Sequence, residues 1–143
     1  MAKDFTKTFL SNQSPEEVFK TVLNVRGWWY GLYDEEILGE TKKLNDVFTF
    51  RAGGGEHYSK LKLIELVPGK KVVWLVTEAE LAFVDTKDEW VGTKMIFDIS
   101  KKGNKTEVRF THEGLHTQVE CYDACSSAWQ RYFDEKMMPL INA

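Results

Sequence analysis

The stretch KTEVRFTHEGLHTQVECYDACSSAWQRYFDEKMMPL, residues 105–140, changes its period partway along. At its start Thr106, Val108, Phe110 and His112 alternate with Glu107, Arg109 and Thr111. That is the two-residue repeat of a strand showing one face to a core and the other to water. Further on, Tyr122, Cys125, Trp129, Phe133, Met137 and Leu140 form a stripe at helical spacing, flanked by Cys121, Ala128 and Tyr132. Thr117-Gln118-Val119-Glu120 has the form of a capping box, which predicts the helix start there. Pro139 lacks a backbone donor and is expected to kink or fray the last turn. A helix of about 22 residues spans roughly 33 Å, long enough to cross a twisted, curled sheet.

Upstream, the two-residue period recurs. Met95, Phe97 and Ile99 oppose Lys94, Asp98 and Ser100 within 93–100; Val72, Trp74, Val76 and Glu78 oppose Val73, Leu75 and Thr77 within 72–80. Residues 58–67 and 47–52 read as further strands, the latter with Phe48 and Phe50 on one face. Gly53-Gly54-Gly55, Pro68-Gly69-Lys70 and Gly103-Asn104 are turn chemistry between them, which makes the series an antiparallel meander. The Lys pairs at 42–43, 70–71 and 101–102 fall in or beside the turns and read as solvated strand ends. At the other end of the chain, residues 5–10 alternate as a first strand. Ser14-Pro15-Glu16-Glu17 then combines an N-cap Ser, a Pro in the first turn and a Glu at the third position, so a helix is expected from Pro15 with Val18, Phe19, Val22 and Leu23 inward. Gly27 is expected to end or bend it before the cluster Trp28-Trp29-Tyr30. The predicted class is α+β: a curved antiparallel sheet of about six or seven strands on a long C-terminal helix, with one or two short helices after the first strand, as a single domain over 1–143.

Composition bounds the function. The chain has 143 residues, 43% hydrophobic and 29% charged, with net charge −3 and a pI near 5.7. Its apolar content is too high for disorder and its charge argues against nucleic acid. No run approaches the length of a membrane span, and Met1-Ala2-Lys3-Asp4-Phe5 lacks the apolar core of a signal peptide. Cys121 and Cys125 sit one helical turn apart, a poor geometry for a disulfide, and read as reduced, buried thiols of a cytoplasmic protein.

The opening strand with Ser14-Pro15-Glu16-Glu17-Val18-Phe19, the segment Glu89-Trp90-Val91-Gly92-Thr93, and Phe110-Thr111-His112-Glu113-Gly114-Leu115 leading to Trp129 carry a resemblance. The chain resembles, over essentially its whole length, the START-like (SRPBCC, Bet v 1-type) superfamily, and within it the family related to the C-terminal domain of the activator of the heat-shock-protein-90 ATPase. The resemblance implies a helix-grip fold with a cavity between sheet and helix. It also implies small-molecule or lipid-like ligands in some members, chaperone contact and a role in stress response in others, and enzymatic activity in a minority. It supplies no shared catalytic set.

His112-Glu113-Gly114-Leu115-His116 spells H-E-x-x-H, but zinc chemistry needs both imidazoles on one helical face, and this segment is a strand running into a corner. The triple glycine is not followed by the Lys-Ser/Thr and helix of a phosphate loop. No catalytic residue, metal or cofactor is therefore assigned. Nine Phe, five Trp and five Tyr remain to be accounted for. An empty, dry cavity of about 300 Å³ would cost on the order of 7 kcal/mol, as much as a domain's net stability. The space under the helix is thus filled by rings, wet, or made for a guest. The expected lining is Trp28, Trp74, Trp90, Phe97, Phe110, Tyr122, Trp129 and Phe133, with Glu78 and His112 as polar anchors; His57 and Arg51 are weaker candidates. The expected function is binding of a small hydrophobic or amphipathic molecule. A protein-interaction module, with a chaperone as partner, is the alternative, and an enzyme on a hydrophobic substrate is third.

Overall fold

The structure is a computed structural model that describes residues 4–53, 57–82, 85 and 87–142. Strand β1 (Asp4–Ser11) leads into helices α1 (Pro15–Leu23) and α2 (Val25–Trp28). Six strands follow: β2 (Glu36–Gly39), β3 (Val47–Ala52), β4 (His57–Val67), β5 (Lys71–Leu81), β6 (Lys94–Lys102) and β7 (Lys105–His116). The chain ends in α3 (Tyr122–Arg131), a wider π turn (Tyr132–Met137) and α4 (Met138–Ile141), continuous with one another. The seven strands form one antiparallel sheet in the order β1-β7-β6-β5-β4-β3-β2. It curves around the C-terminal helix, which buries Cys125, Trp129, Phe133, Met137 and Ile141 against strand residues such as Phe9, Phe97 and Phe110.

Local chemistry explains the ends of the elements. Ser14 Oγ accepts from Glu17 N–H and the Glu17 carboxylate accepts from Ser14 N–H, so α1 starts where its capping box says. Its end differs from the expectation. The break falls at Asn24, whose N–H reaches Lys20 and Thr21 carbonyls, and Gly27 lies inside α2. A Cβ on Gly27 would meet Asn24 Nδ2 at 2.9 Å, so the glycine permits the close return of α2. The last carbonyls of α4 are satisfied by the N-terminal segment: Ser11 Oγ donates to Ile141 O, and Gln13 Nε2 to Leu140 O at 2.9 Å.

Four other expectations need correction. Thr117 does not cap the last helix. Strand β7 runs on to His116, and α3 begins at Tyr122 with no side-chain cap from its own N-terminal residue. The orphan donors there are met from a distant loop: Glu89 Oε2 accepts from Glu120 N at 2.7 Å and Oε1 from Cys121 N at 2.9 Å. The supposed corner at Gly114 is a bulge within β7. There the pairing of β1 slips from Phe5↔His112 to Asp4↔His116. Gly114 has φ 102°, and a Cβ would stand 2.6 Å from Thr93 Cγ2. Pro139 does not fray the end, since the helix continues past it to Ile141; the irregularity is the π turn directly before it, and its missing donor falls in the first turn of α4. Inward residues Cys125, Trp129, Phe133, Met137 and Ile141 repeat every four residues, a spacing that drifts about 40° per step on an ideal α-helix. The wider turn absorbs part of that drift, which puts Ile141 inside and leaves Leu140 exposed.

Candidate functional site

A cavity of about 240 Å³ opens between the ends of β3 and β4 and the first turns of α3. Trp29, held just past α2, stacks on Phe50 of β3 with centroids 3.9 Å apart and lies 5.0 Å from Trp129 of α3. Trp90 runs parallel to Trp129 at 6.1 Å, and the His57 ring stands edge-on to Trp90 at 4.5 Å. The helix side is lined by small groups, Ala124, Cys125 and Ala128, and the strand side by Ala52 and Gly53. These are what leave the space open. Tyr33 and Tyr132 complete the lining, so among the described residues no Asp, Glu, Lys or Arg side chain is part of the wall.

The rings are held by satisfied polar groups. His112 is fully buried behind Trp90 and Trp129. Trp129 Nε1 donates to its Nδ1 at 3.0 Å, which places the imidazole proton on Nε2. Nε2 then donates to Thr93 Oγ1 at 2.9 Å, and Thr93 Oγ1 donates to the Trp90 carbonyl at 2.7 Å. Burial, with a smaller contribution from His57, pulls the His112 pKa down to about 3. His112 is therefore a neutral strut at neutral pH. Burial likewise pulls half-buried His57 to about 4; its one hydrogen bond among the described residues is a long 3.5 Å contact with Ser59 Oγ. Trp90 Nε1 donates to Cys121 Sγ at 3.3 Å. Both free cysteines are buried, and the bond to Cys121, then burial, pushes the Cys125 thiol up, which holds it protonated.

A second network fixes the rim. The Glu35 carboxylate accepts from Gly31 N at 2.7 Å, from Leu32 N and Tyr33 N at 3.1 Å each, and from the Tyr132 hydroxyl. Burial opposes its charge, but these bonds outweigh it and hold the carboxyl below its ordinary value. The loop bearing Tyr33 is thereby tied to the C-terminal helix. Arg131 Nη1 donates to Tyr33 Oη at 3.0 Å on the outer side.

Of the candidate site residues singled out in the sequence, Trp90, Trp129 and the weaker candidate His57 line the cavity. Trp28, Phe97, Phe110 and Phe133 form a filled layer beneath it, with Phe97–Phe110 centroids at 4.9 Å and Phe110–Phe133 at 4.8 Å. Trp74 packs elsewhere in the core, edge-on to Phe48 at 4.7 Å, and its indole N–H has no hydrogen-bond partner among the described residues. Tyr122 is half-buried at the start of α3, outside the lining. Glu78 is corrected from polar anchor to outer surface. A bulge pairs Lys60 with Glu78 but Leu61 with Val76, so Thr77 is the extra residue and alternation inverts beyond it. Glu78 there meets Lys60 Nζ at 3.5 Å and the Tyr58 hydroxyl at 3.3 Å. His112 lies deeper than a rim position and is committed to Trp129 and Thr93. Arg51 sits over Tyr58, 4.6 Å from the ring centroid, on the exposed face. His116 Nδ1 accepts from Gln118 N at 3.3 Å, so the two imidazoles of H-E-x-x-H have separate partners on a bulged strand. Of the triple glycine, Gly54 and Gly55 lie outside the described residues. The sequence reading did not assign Phe50, Tyr33, Tyr132, Ala124 and Ala128 to the cavity. The legible signal was the pair Ala124 and Ala128, four apart beside Cys125 and Trp129, which marks the thinnest part of the helix face.

The sequence profile of the family described as Activator of Hsp90 ATPase homolog 1-like protein matches residues 12–138. No curated protein sequence gives a significant match. Among solved structures, the solution structure of the Aha1 dimer from Colwellia psychrerythraea superposes with a TM-score of 0.75 at 22% identity, covering 98% of this chain and 96% of that one. A protein from Chromobacterium violaceum gives 0.73 at 15% identity, over 97% and 96%. One from Bacillus halodurans gives 0.68 at 14%, over 99% and 100%. At these identities the likeness is one of fold.

Proposed function

Since the chain belongs to the Activator of Hsp90 ATPase homolog 1-like family, whose fold holds its long helix against a curved sheet, we propose that it binds a small hydrophobic molecule between the two layers. One observation carries this reading: the cavity of about 240 Å³ stays open although bulky rings surround it, because Ala52, Gly53, Ala124 and Ala128 line its other walls. Closed and dry, such a volume would cost on the order of 6 kcal/mol, a large fraction of a domain's stability. A guest would recover that loss, and the guest's apolar surface would add to it. The rings fixed by His112 and the rim fixed by Glu35 give a preformed site, which lowers the ordering cost of binding. The buried, unpaired thiols fit a reducing, cytoplasmic setting. A thermal-shift screen of neutral hydrophobic compounds tests the reading: at least one is expected to raise Tm by several degrees, and a flat response across the screen would count against it.

Family membership favours a second reading, contact with a heat-shock chaperone. It would use exposed apolar residues on the outside, such as Tyr30, Leu38 and Leu44, and would leave the cavity unoccupied.

A further inference from the structure

We infer that the guest is a neutral aromatic of one or two fused rings carrying a single hydroxyl or ring N–H, a phenol- or indole-like molecule. The inference rests on the ligand-binding reading above and narrows it on three grounds.

Size comes first. A dry cavity of about 150 Å³ in another protein accepts benzene. On that scale the 240 Å³ found here takes about ten non-hydrogen atoms, enough for two fused rings. A long acyl chain of about 18 such atoms exceeds it on the same scale.

Charge comes second. With no charged side chain among the described residues of the wall, a carboxylate or ammonium group would lose its hydration with no counter-ion from them. A fatty acid or other anionic amphipath is thus disfavoured for a reason separate from its length.

The third ground is the kind of wall. Trp29, Phe50, Trp90 and Trp129 present ring faces and edges to the space, and aromatic pairs gain beyond their buried area. An aliphatic guest of equal volume gains the area alone. Among the described residues, a weakly engaged polar group of the wall is the neutral His57 imidazole, which is able to pair with one O–H or N–H of the guest.

Titration calorimetry at pH 7.5 with naphthalen-2-ol, naphthalene-2-carboxylate and decan-1-ol tests this on the full chain. Naphthalen-2-ol is expected to bind one-to-one, with the other two at least about tenfold weaker. Ala128→Leu, and independently Ala124→Leu at the exposed rim, are expected to weaken naphthalen-2-ol by about tenfold or more with unchanged far-ultraviolet dichroism. If decan-1-ol or the carboxylate binds as tightly as naphthalen-2-ol and is lost in the alanine variants, the aromatic assignment is overturned while the cavity reading stands. If none of the three binds, or if binding survives both variants, both readings fall.

Discussion

His112 shows how one side chain organises the site. Its two ring nitrogens connect Trp129 on the helix to Thr93 and, through Thr93, to the Trp90 carbonyl. Removing the ring would leave the buried Trp129 Nε1–H donor without a partner and Thr93 Oγ1 without the bond it accepts, at about 1–3 kcal/mol for an unsatisfied buried group. His112→Ala is therefore expected to destabilise by about 3–5 kcal/mol in urea unfolding, with cavity creation added to the lost bonds. Protonation acts in the same direction. The folded pKa is about 3 and the ordinary value 6.5, so between those values the unfolded chain binds the extra proton. The contribution is intact above pH 6.5 and is lost as the pH falls towards 3, about 5 kcal/mol over the whole window at ~1.4 kcal/mol per unit. A stability–pH curve is expected to fall below pH 6.5, and His112→Gln is expected to lessen the fall, with His57 supplying part of what remains; an unchanged slope in that variant would remove His112 from the explanation. The alternation of 106–112 was enough to place this residue on the inward face. Its commitment to Trp129 and Thr93 was not legible, because that depends on contacts between residues distant in sequence.

At the scale of elements, the periods in the sequence located the strands and both helical regions, since burial on one face leaves a repeat that reads directly. What failed were the places where extra residues break the repeat: Thr77 in β5, the three residues 113–115 around Gly114 in β7 and the π turn after Arg131. Each inverts or shifts the facing of everything beyond it, so Glu78 moved outside and Ile141 displaced Leu140 from the core. The start of α3 was misread for a related reason. Thr117-Gln118-Val119-Glu120 satisfies the local pattern, yet Glu89 from the loop before β6 supplies the acceptors. This separates two substitutions. Glu89→Ala is expected to cost about 1–2 kcal/mol and to speed hydrogen exchange at the Glu120 and Cys121 amides. Thr117→Ala, at an exposed turn, is expected to stay within about 0.5 kcal/mol. Equal effects of the two would restore the local capping box.

For the molecule as a whole, most of the aromatic residues singled out in the sequence lie one layer deeper than the cavity. Trp28, Phe97, Phe110 and Phe133 interlock as a solid floor, and the open space lies above them, toward the β3–β4 end and the first turns of α3. Its position depends on where side chains are small, and alanines attract less notice than tryptophans in a sequence. The floor gives rigidity, the His112 and Glu35 networks fix the walls, and the alanines set the capacity. Pressurising crystals of the protein with xenon examines this most directly, since the gas enters apolar cavities and scatters strongly. Xenon is expected between Trp29, Trp90, Trp129 and Ala128 in the wild type, and to be absent there in Ala128→Leu. Wild-type crystals with those rings in mutual contact, and no xenon among them, would contradict the account.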